Sequence, residues 1–315
     1  MSVLLSLSVL AACTDAGDDS GTSPIDTATA DQVSLDGVCP LAERHGGFVL
    51  ESYEGYSIID GSVAEGVIPI TILTESTTLG DCTLWVKPNP FCDPPCENGD
   101  VCDLDDTCIA YPESQDLGTV TMTGLDVEVA MEPVSPGYSY FHTSLPHPAW
   151  QTDALVTLFT QGGAYDPVKL HGFGVADLVP TDDQWLIVEG VDLAVTWEPG
   201  AEGSRGEVAF SLNIDQHGVT PTTLKCAFED DGEGSVPASL VDALIGAGVT
   251  GFPNGTLSRR TADRTEIGSG CMDFVASSPR GVDVRVDGFV PCTSSRDCPE
   301  GQECNLEIQI CEDAD

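Results

Sequence analysis

Short runs of β-branched and aromatic residues recur along the chain with Gly, Pro, Asn and Asp between them, a pattern that predicts strands joined by turns. The first are "GFVLESY" (47–53), "GVIPITIL" (66–73), "CTLWVKP" (82–88) and "GTVTMTGLDVEVAME" (118–132). "DALVTLFT" (153–160), "WLIVEGVDLAVTW" (185–197), "GEVAFSLNI" (206–214), "TTLKCAF" (222–228) and "GVDVRVDG" (281–288) follow. Apolar and polar positions alternate strictly at Val127, Val129 and Met131, and at Val208, Phe210, Leu212 and Ile214. That period of two marks strands with one wet face. Pro199-Gly200 and Asn254-Gly255 predict tight turns. In "SVPASLVDALIGAG" the period changes: Leu240, Val241, Leu244 and Ile245 form a helical stripe, Ser235 can cap it, Pro237 suits its first turn, and Gly246 and Gly248 stop it. The expected fold is mainly β, an antiparallel β-sandwich-like body of two stacked layers with one short helix plugging an end.

Composition narrows the partners. The chain has 315 residues and a formal charge of −41, from 52 Asp+Glu against 11 Lys+Arg. Such a surface repels phosphate backbones, so no nucleic-acid partner is expected. A hydrophobic content of 41% still suffices for a packed core.

The N-terminus adds an address. Val3 to Ala12 is an uncharged run too short to span a bilayer as a helix, but of the length of a signal-peptide core. Leu10-Ala11-Ala12-Cys13 resembles the lipobox of bacterial lipoproteins, although no Lys or Arg stands ahead of it. The resemblance implies that residues 1–12 are a signal peptide, that Cys13 is lipidated and becomes the first mature residue, and that the partner there is a membrane reached through acyl chains. Several acyl chains hold a protein stably where one is marginal. Thr14 in place of Asp after the lipidated cysteine implies the outer membrane, by the sorting habit of enteric lipoproteins. Residues 13–37 are rich in Asp and lack basic and aromatic residues, which predicts a disordered acidic tether.

Removing Cys13 from the 13 cysteines leaves an even set. Cys92, Cys96, Cys102 and Cys108 form one cluster and Cys292, Cys298, Cys304 and Cys311 another, each with a glycine ahead of its third cysteine (Gly99, Gly301). They read as one short module used twice, at 91–109 as an insertion in a body spanning 38–289, and at 290–315 as a C-terminal module. The second resembles the Cys-rich repeats of secreted bacterial and extracellular proteins. Zinc is the competing reading of four clustered cysteines, but the two-residue knuckle spacing is missing and an exported chain meets oxidants, so disulfides are expected. Within each cluster the expected pairing is first with third and second with fourth. For the remaining four, pairing of neighbours gives Cys39–Cys82 and Cys226–Cys271.

Candidate chemistry is sparse. The nucleophile-elbow, zincin and Walker motifs are missing. The five histidines (45, 142, 147, 171, 217) are scattered, and His142 and His147 lie five apart, which suits turn packing better than ligation. "GYSYFHTSLPHPAW" (137–150) is the aromatic-richest stretch, in which Tyr138, Tyr140 and Trp150 could stack a sugar or peptide or, more simply, cover a sandwich edge. Calcium is the one cofactor the sequence suggests, with Asp103, Asp105 and Asp106 in one acidic bunch and Asp230 and Asp231 in another. Solvated loops explain both bunches as well. Arg259, Arg260, Arg264, Arg280 and Arg285 concentrate basic charge, expected in ion pairs with the surplus carboxylates. The expectation is a non-catalytic cell-surface lipoprotein that binds or spaces an extracellular protein or glycan. Alternatives are a secreted glycan hydrolase or lyase on the sandwich and a calcium-stabilised adhesin.

Overall fold

The computed structural model describes residues 29–87, 92–214 and 222–314; the signal-peptide and lipobox residues, Cys13 and His217 lie outside them. In chain order the strands are β1 (Arg44–Tyr53), β2 (Tyr56–Val63), β3 (Thr74–Leu79), β4 (Cys82–Val86), β5 (Val101–Cys102), β6 (Cys108–Ile109) and β7 (Val120–Thr123). Then come β8 (Val129–Met131), β9 (Tyr140–His142), β10 (Leu155–Thr160), β11 (Lys169–Phe173), β12 (Gln184–Ile187), β13 (Leu193–Thr196) and β14 (Glu207–Asn213). β15 (Thr222–Glu229), β16 (Glu233–Val236), the helix α1 (Ala238–Ala247), β17 (Asn254–Ile267), β18 (Gly270–Val286), β19 (Gln302–Asn305) and β20 (Ile310–Asp313) complete the order.

The protein is mainly β and sandwich-like. A ten-stranded sheet runs β3-β4-β15-β14-β17-β18-β1-β2-β9, with β12 also paired to β18. Two bodies cover different halves of its inner face. The four-stranded sheet β11-β10-β7-β8 closes one core, in which Phe48, Leu50 and Phe274 of the large sheet meet Met122, Val156 and Leu158. The ribbon β13–β16 and α1 close the other, around Trp185, Trp197, Phe210, Phe228 and Leu244. Val208, Phe210, Leu212 and Ile214 all point into this second core, as their alternation predicts. The hairpin β17–β18, whose strands are 14 and 17 residues long, belongs to both cores and ties them together.

Several expectations are corrected. Residues 66–73 hold a 3-10 turn at Pro69–Thr71 instead of a strand, since Pro69 removes a ladder donor; the strand is the polar, exposed β3 that follows. Asn254-Gly255 opens β17 instead of turning, paired with β14 on one side and β18 on the other, and glycine is required there because Trp185 fills the space where a side chain at 255 would stand. Pro237 takes the cap position of α1, with Ser235 in β16, and Asp192 supplies the cap acceptor to the Ala238 N–H at 2.7 Å. Gly246 lies within the helix and Gly248, at φ 125°, ends it. Of the segment expected as tether, residues 29–37 lie against the body: Gly37 N donates to Ala262 O at 3.1 Å and Asp36 N to Asp263 Oδ1 at 3.1 Å.

Six disulfides are formed. Both clusters pair as expected, Cys92–Cys102 with Cys96–Cys108, and Cys292–Cys304 with Cys298–Cys311. In each, the third and fourth cysteines face one another across a hairpin (Cys102↔Cys108, Cys304↔Cys311), so the two modules share a fold. Gly99 and Gly301 have φ of 88° and 92°, a backbone region that glycine enters without steric cost. The long-range pairs are the other way round from the neighbour rule: Cys39–Cys271 and Cys82–Cys226. Cys82 and Cys226 are direct cross-strand partners on β4 and β15, and the parallel pairing of β1 with β18 brings the chain ahead of β1 to Cys271. These loops of 144 and 232 residues are worth about 5 kcal/mol each in the chain-entropy picture.

Between the cores lies a buried ion pair. Arg259 and Asp230 side chains are 2% and 4% exposed, and Arg259 Nε meets Asp230 Oδ2 at 2.6 Å. Arg259→Met should lower stability to urea by about 3–5 kcal/mol, because Asp230 is left charged and unpaired in the interior. Adding Asp230→Asn should restore more than half of the loss; a double variant as unstable as the single one would show that the ion pair is not its cause.

Candidate functional site

A partly apolar groove of about 670 Å³ lies between the end of the long hairpin and the C-terminal module. Each wall has a local cause. In β12 the alternation of "QWLI" buries Trp185 and Ile187 and turns Leu186 outward, 55% exposed. The chain between α1 and β17, Val249 to Pro253, supplies the opposite wall with Phe252, 42% exposed. Phe289 and Val290, after β18, are exposed as well, and Ile310 of the C-terminal module closes the end while reaching into the second core. The floor is Asp283–Val286 with Arg285 and, beside them, Asp287.

Thr250 is the buried polar residue here. It is 5% exposed, lines the groove, and its Oγ1 has no hydrogen-bond partner; Gln309 Oε1 on the adjoining module is also buried without one. The module is held in place by main chain: Gly251 N donates to Ile308 O at 2.8 Å and Cys292 N to Gln309 O at 2.9 Å. Chemically the groove offers apolar side chains, a hydroxyl, one guanidinium and two carboxylates. That set suits binding and contains no nucleophile–base pair.

Of the two readings of Tyr138, Tyr140 and Trp150, the stacking platform does not form, and Tyr140 and Trp150 pack inward as the simpler reading has it. Tyr140 is fully buried in the first core, receives the Leu117 N–H at 2.8 Å and donates to Gly118 O at 3.1 Å; burial pushes its phenol up. Trp150 is 3% exposed and its Nε1 donates to Val175 O at 2.9 Å. Tyr138 sits in the preceding turn at φ 42°. Large rings beside β9 are worth more under the four-stranded sheet than on its surface. The exposed aromatics of this edge are Tyr56 and Phe141 instead.

The acidic candidates are engaged within the protein. Asp230 accepts from Arg259 and from Trp197 Nε1 at 2.9 Å. Asp231 accepts from Glu233 N at 3.3 Å, and Asp103 from Leu104 N at 2.7 Å. The Thr107 hydroxyl and amide hold the Asp105 carboxyl below the usual range, and Asp106 sits in the same turn at φ 62°. The cysteine sulfurs of both modules that lie close enough together for a metal are joined in disulfides. His147 packs on the β1–β2 turn, with its ring nitrogens 3.2 Å from Ser57 Oγ and 3.3 Å from Gly55 N.

Of the basic run, Arg259, Arg260 and Arg280 form the expected ion pairs. Arg260 pairs with Glu207 at 2.7 Å, Arg280 with Asp177 at 3.2 Å, and Arg264 donates to Val38 O at 2.9 Å. Arg285 alone of this run lines the groove. The remaining groove residues were not singled out from the sequence. Their signal is the apolar residue standing among turn formers, as in Gly251-Phe252-Pro253 and Gly288-Phe289-Val290-Pro291. Large side chains in turn-like segments have either a core or a ligand to cover.

Comparison with known proteins adds no function. No family model matches the chain and no curated protein matches it. Among solved structures, the chicken CNTN1 FN1-FN3 domains align over 71% of this chain and 70% of theirs at 8% identity, with a TM-score of 0.18.

In the C-terminal module that walls the groove, one exposed carboxylate caps the first turn. Asp297 accepts from Thr293 N and Ser294 N, both at 2.9 Å, and from their hydroxyls, donors that favour its ionised form and hold its carboxyl below the usual range. A depressed carboxyl gives support that is present above the ordinary carboxylate range and is lost as pH falls through its folded value. Acid titration followed by NMR should therefore show the Thr293 and Ser294 amides shifting together at a pH below that of an ordinary aspartate, and Asp297→Ala should abolish the step.

Proposed function

We propose that the protein is an exported, non-catalytic binding protein, anchored to the cell envelope by lipid on Cys13 and displayed on the outer membrane. The groove between the β-body and the C-terminal module is its ligand site. The observation that carries the binding role is the cluster of Leu186, Phe252, Phe289 and Val290, each more than a third exposed around one recess. Six disulfides favour an oxidising compartment. The lipobox-like tetrapeptide and the acidic stretch after it favour an anchor followed by a spacer. A body fastened by an internal ion pair and cross-strand bridges makes a rigid platform, which lowers the entropy cost of binding.

Intact-mass measurement of the protein from a membrane fraction tests the address. The expected species begins at Cys13, carries the mass of a diacylglyceryl group with an added N-acyl chain, and gains two hydrogens per bridge on reduction at six bridges. An uncut, unacylated chain recovered from the cytosol would overturn it.

A further inference from the structure

The long hairpin does not stay paired to its end. β17 pairs with β18 from Ile267↔Gly270 to Asn254↔Asp283, and β18 continues to Val286. Asp283 is also paired with Gln184, so β12 occupies the side of β18 away from β17. Among the described residues, therefore, no strand pairs with Val284–Val286 on the β17 side, and only the Val286 carbonyl is engaged, accepting from Phe289 N at 3.1 Å in the turn that follows. The cause is visible in the chain ahead of β17. Pro253 has no N–H to extend the ladder. Gly251 is drawn to the C-terminal module, and a β-carbon there would lie 2.4 Å from Gln309 O. The chain leaves β18 at this point, and the groove lies where the two part.

Building on the groove reading above, we propose that its occupant is an extended, basic-aliphatic polypeptide segment of an extracellular partner, which adds to the free edge of β18 at Val284–Val286. A sheet edge presents main-chain donors and acceptors at a spacing that another main chain matches, and alternate side chains then fall into pockets. The aliphatic side chains lie against Leu186, Phe252 and Phe289, and the unpartnered Thr250 hydroxyl gains a main-chain partner. Asp283 and Asp287 flank the edge on either side of Arg285, and the two carboxylates outnumber the guanidinium; with a formal charge of −41 behind them the edge selects basic segments over acidic ones.

The test uses the full mature chain and three capped, labelled octapeptides. One alternates valine and lysine, the second valine and glutamate, and the third is the first with its valine amides N-methylated. In anisotropy titrations the valine–lysine peptide should bind, and the other two should bind at least about tenfold more weakly. Hydrogen exchange should slow at Val284–Val286. Phe252→Ser and Leu186→Ser, which leave the charge unchanged, should each weaken binding by roughly tenfold while the chain stays folded by circular dichroism, and Thr250→Val by roughly threefold. Equal binding of the N-methylated peptide, full binding by both serine variants, or no protection at the edge would overturn the strand-addition proposal. Nile red separates the two readings. Dye binding that Phe252→Ser removes, with no peptide competing, leaves the groove as a binding site and eliminates the peptide. Dye binding that neither serine variant affects removes the groove reading as well.

Discussion

Arg259 and Asp230 hold the two cores of this protein in one frame. The guanidinium has five N–H donors, and all find acceptors: Asp230 Oδ1 and Oδ2, Glu198 O at 2.7 Å, Asp177 O at 2.8 Å and Ala176 O at 3.3 Å. Those acceptors come from three separate connections, the chain leaving β11, the chain after β13 and the turn between β15 and β16. A buried charge pair is costly unless every remaining lone pair and proton is satisfied. Here the requirement for complete satisfaction is what fixes the loops. No loop can move without orphaning a donor in the interior, so the four-stranded sheet on one side and the β13–β16 ribbon on the other keep their register on the shared hairpin.

The same device recurs at the other end of the hairpin. Asp273, 2% exposed, receives Arg44 Nε at 3.0 and 3.1 Å and Cys39 N at 3.2 Å, and Gly47 opposite it leaves no side chain in the way. Asp263 binds Asp36 N and His171 N. β17 and β18 thus carry buried charged residues at inward or covered positions where an ordinary strand carries valine. This explains why half of the sheet was hard to read in the sequence. Residues 206–214 alternate cleanly because Val208, Phe210, Leu212 and Ile214 all enter one core. In "RRTADRTEI" at 259–267 the buried positions are Arg259, Thr261, Ala262, Asp263 and Ile267, and the polarity of three of these five hides the burial. Hydropathy reports burial only when burial is apolar.

The cysteines divide along a related line. Inside each module the pairing was legible, because a ten- to thirteen-residue loop with a glycine turn permits few geometries. The long bridges were not, because they follow sheet order, which places β1 beside β18 and β4 beside β15. The aromatic stretch at 137–150 failed as a site for a different reason. Its rings follow a hairpin edge that the second sheet covers, and a strand's position in the sheet decides whether its aromatics face core or solvent. Nothing local at Tyr140 or Trp150 encodes that.

The groove follows from how the C-terminal module docks. Such modules bury too little apolar surface to hold together without their bridges, and this one also lends Ile310 to the second core and takes Gly251 as a main-chain partner. That attachment pulls the Thr250–Pro253 segment away from β18. Without the module, residues ahead of β17 would have only Pro253 to stop them pairing onward; with it, the end of β18 stays open and is walled on both sides. An open edge is normally an aggregation hazard that proteins blunt with charge. Asp283, Arg285 and Asp287 alternate along this one and face outward, so antiparallel self-pairing of two copies centred on Arg285 would set like charges opposite one another at all three positions.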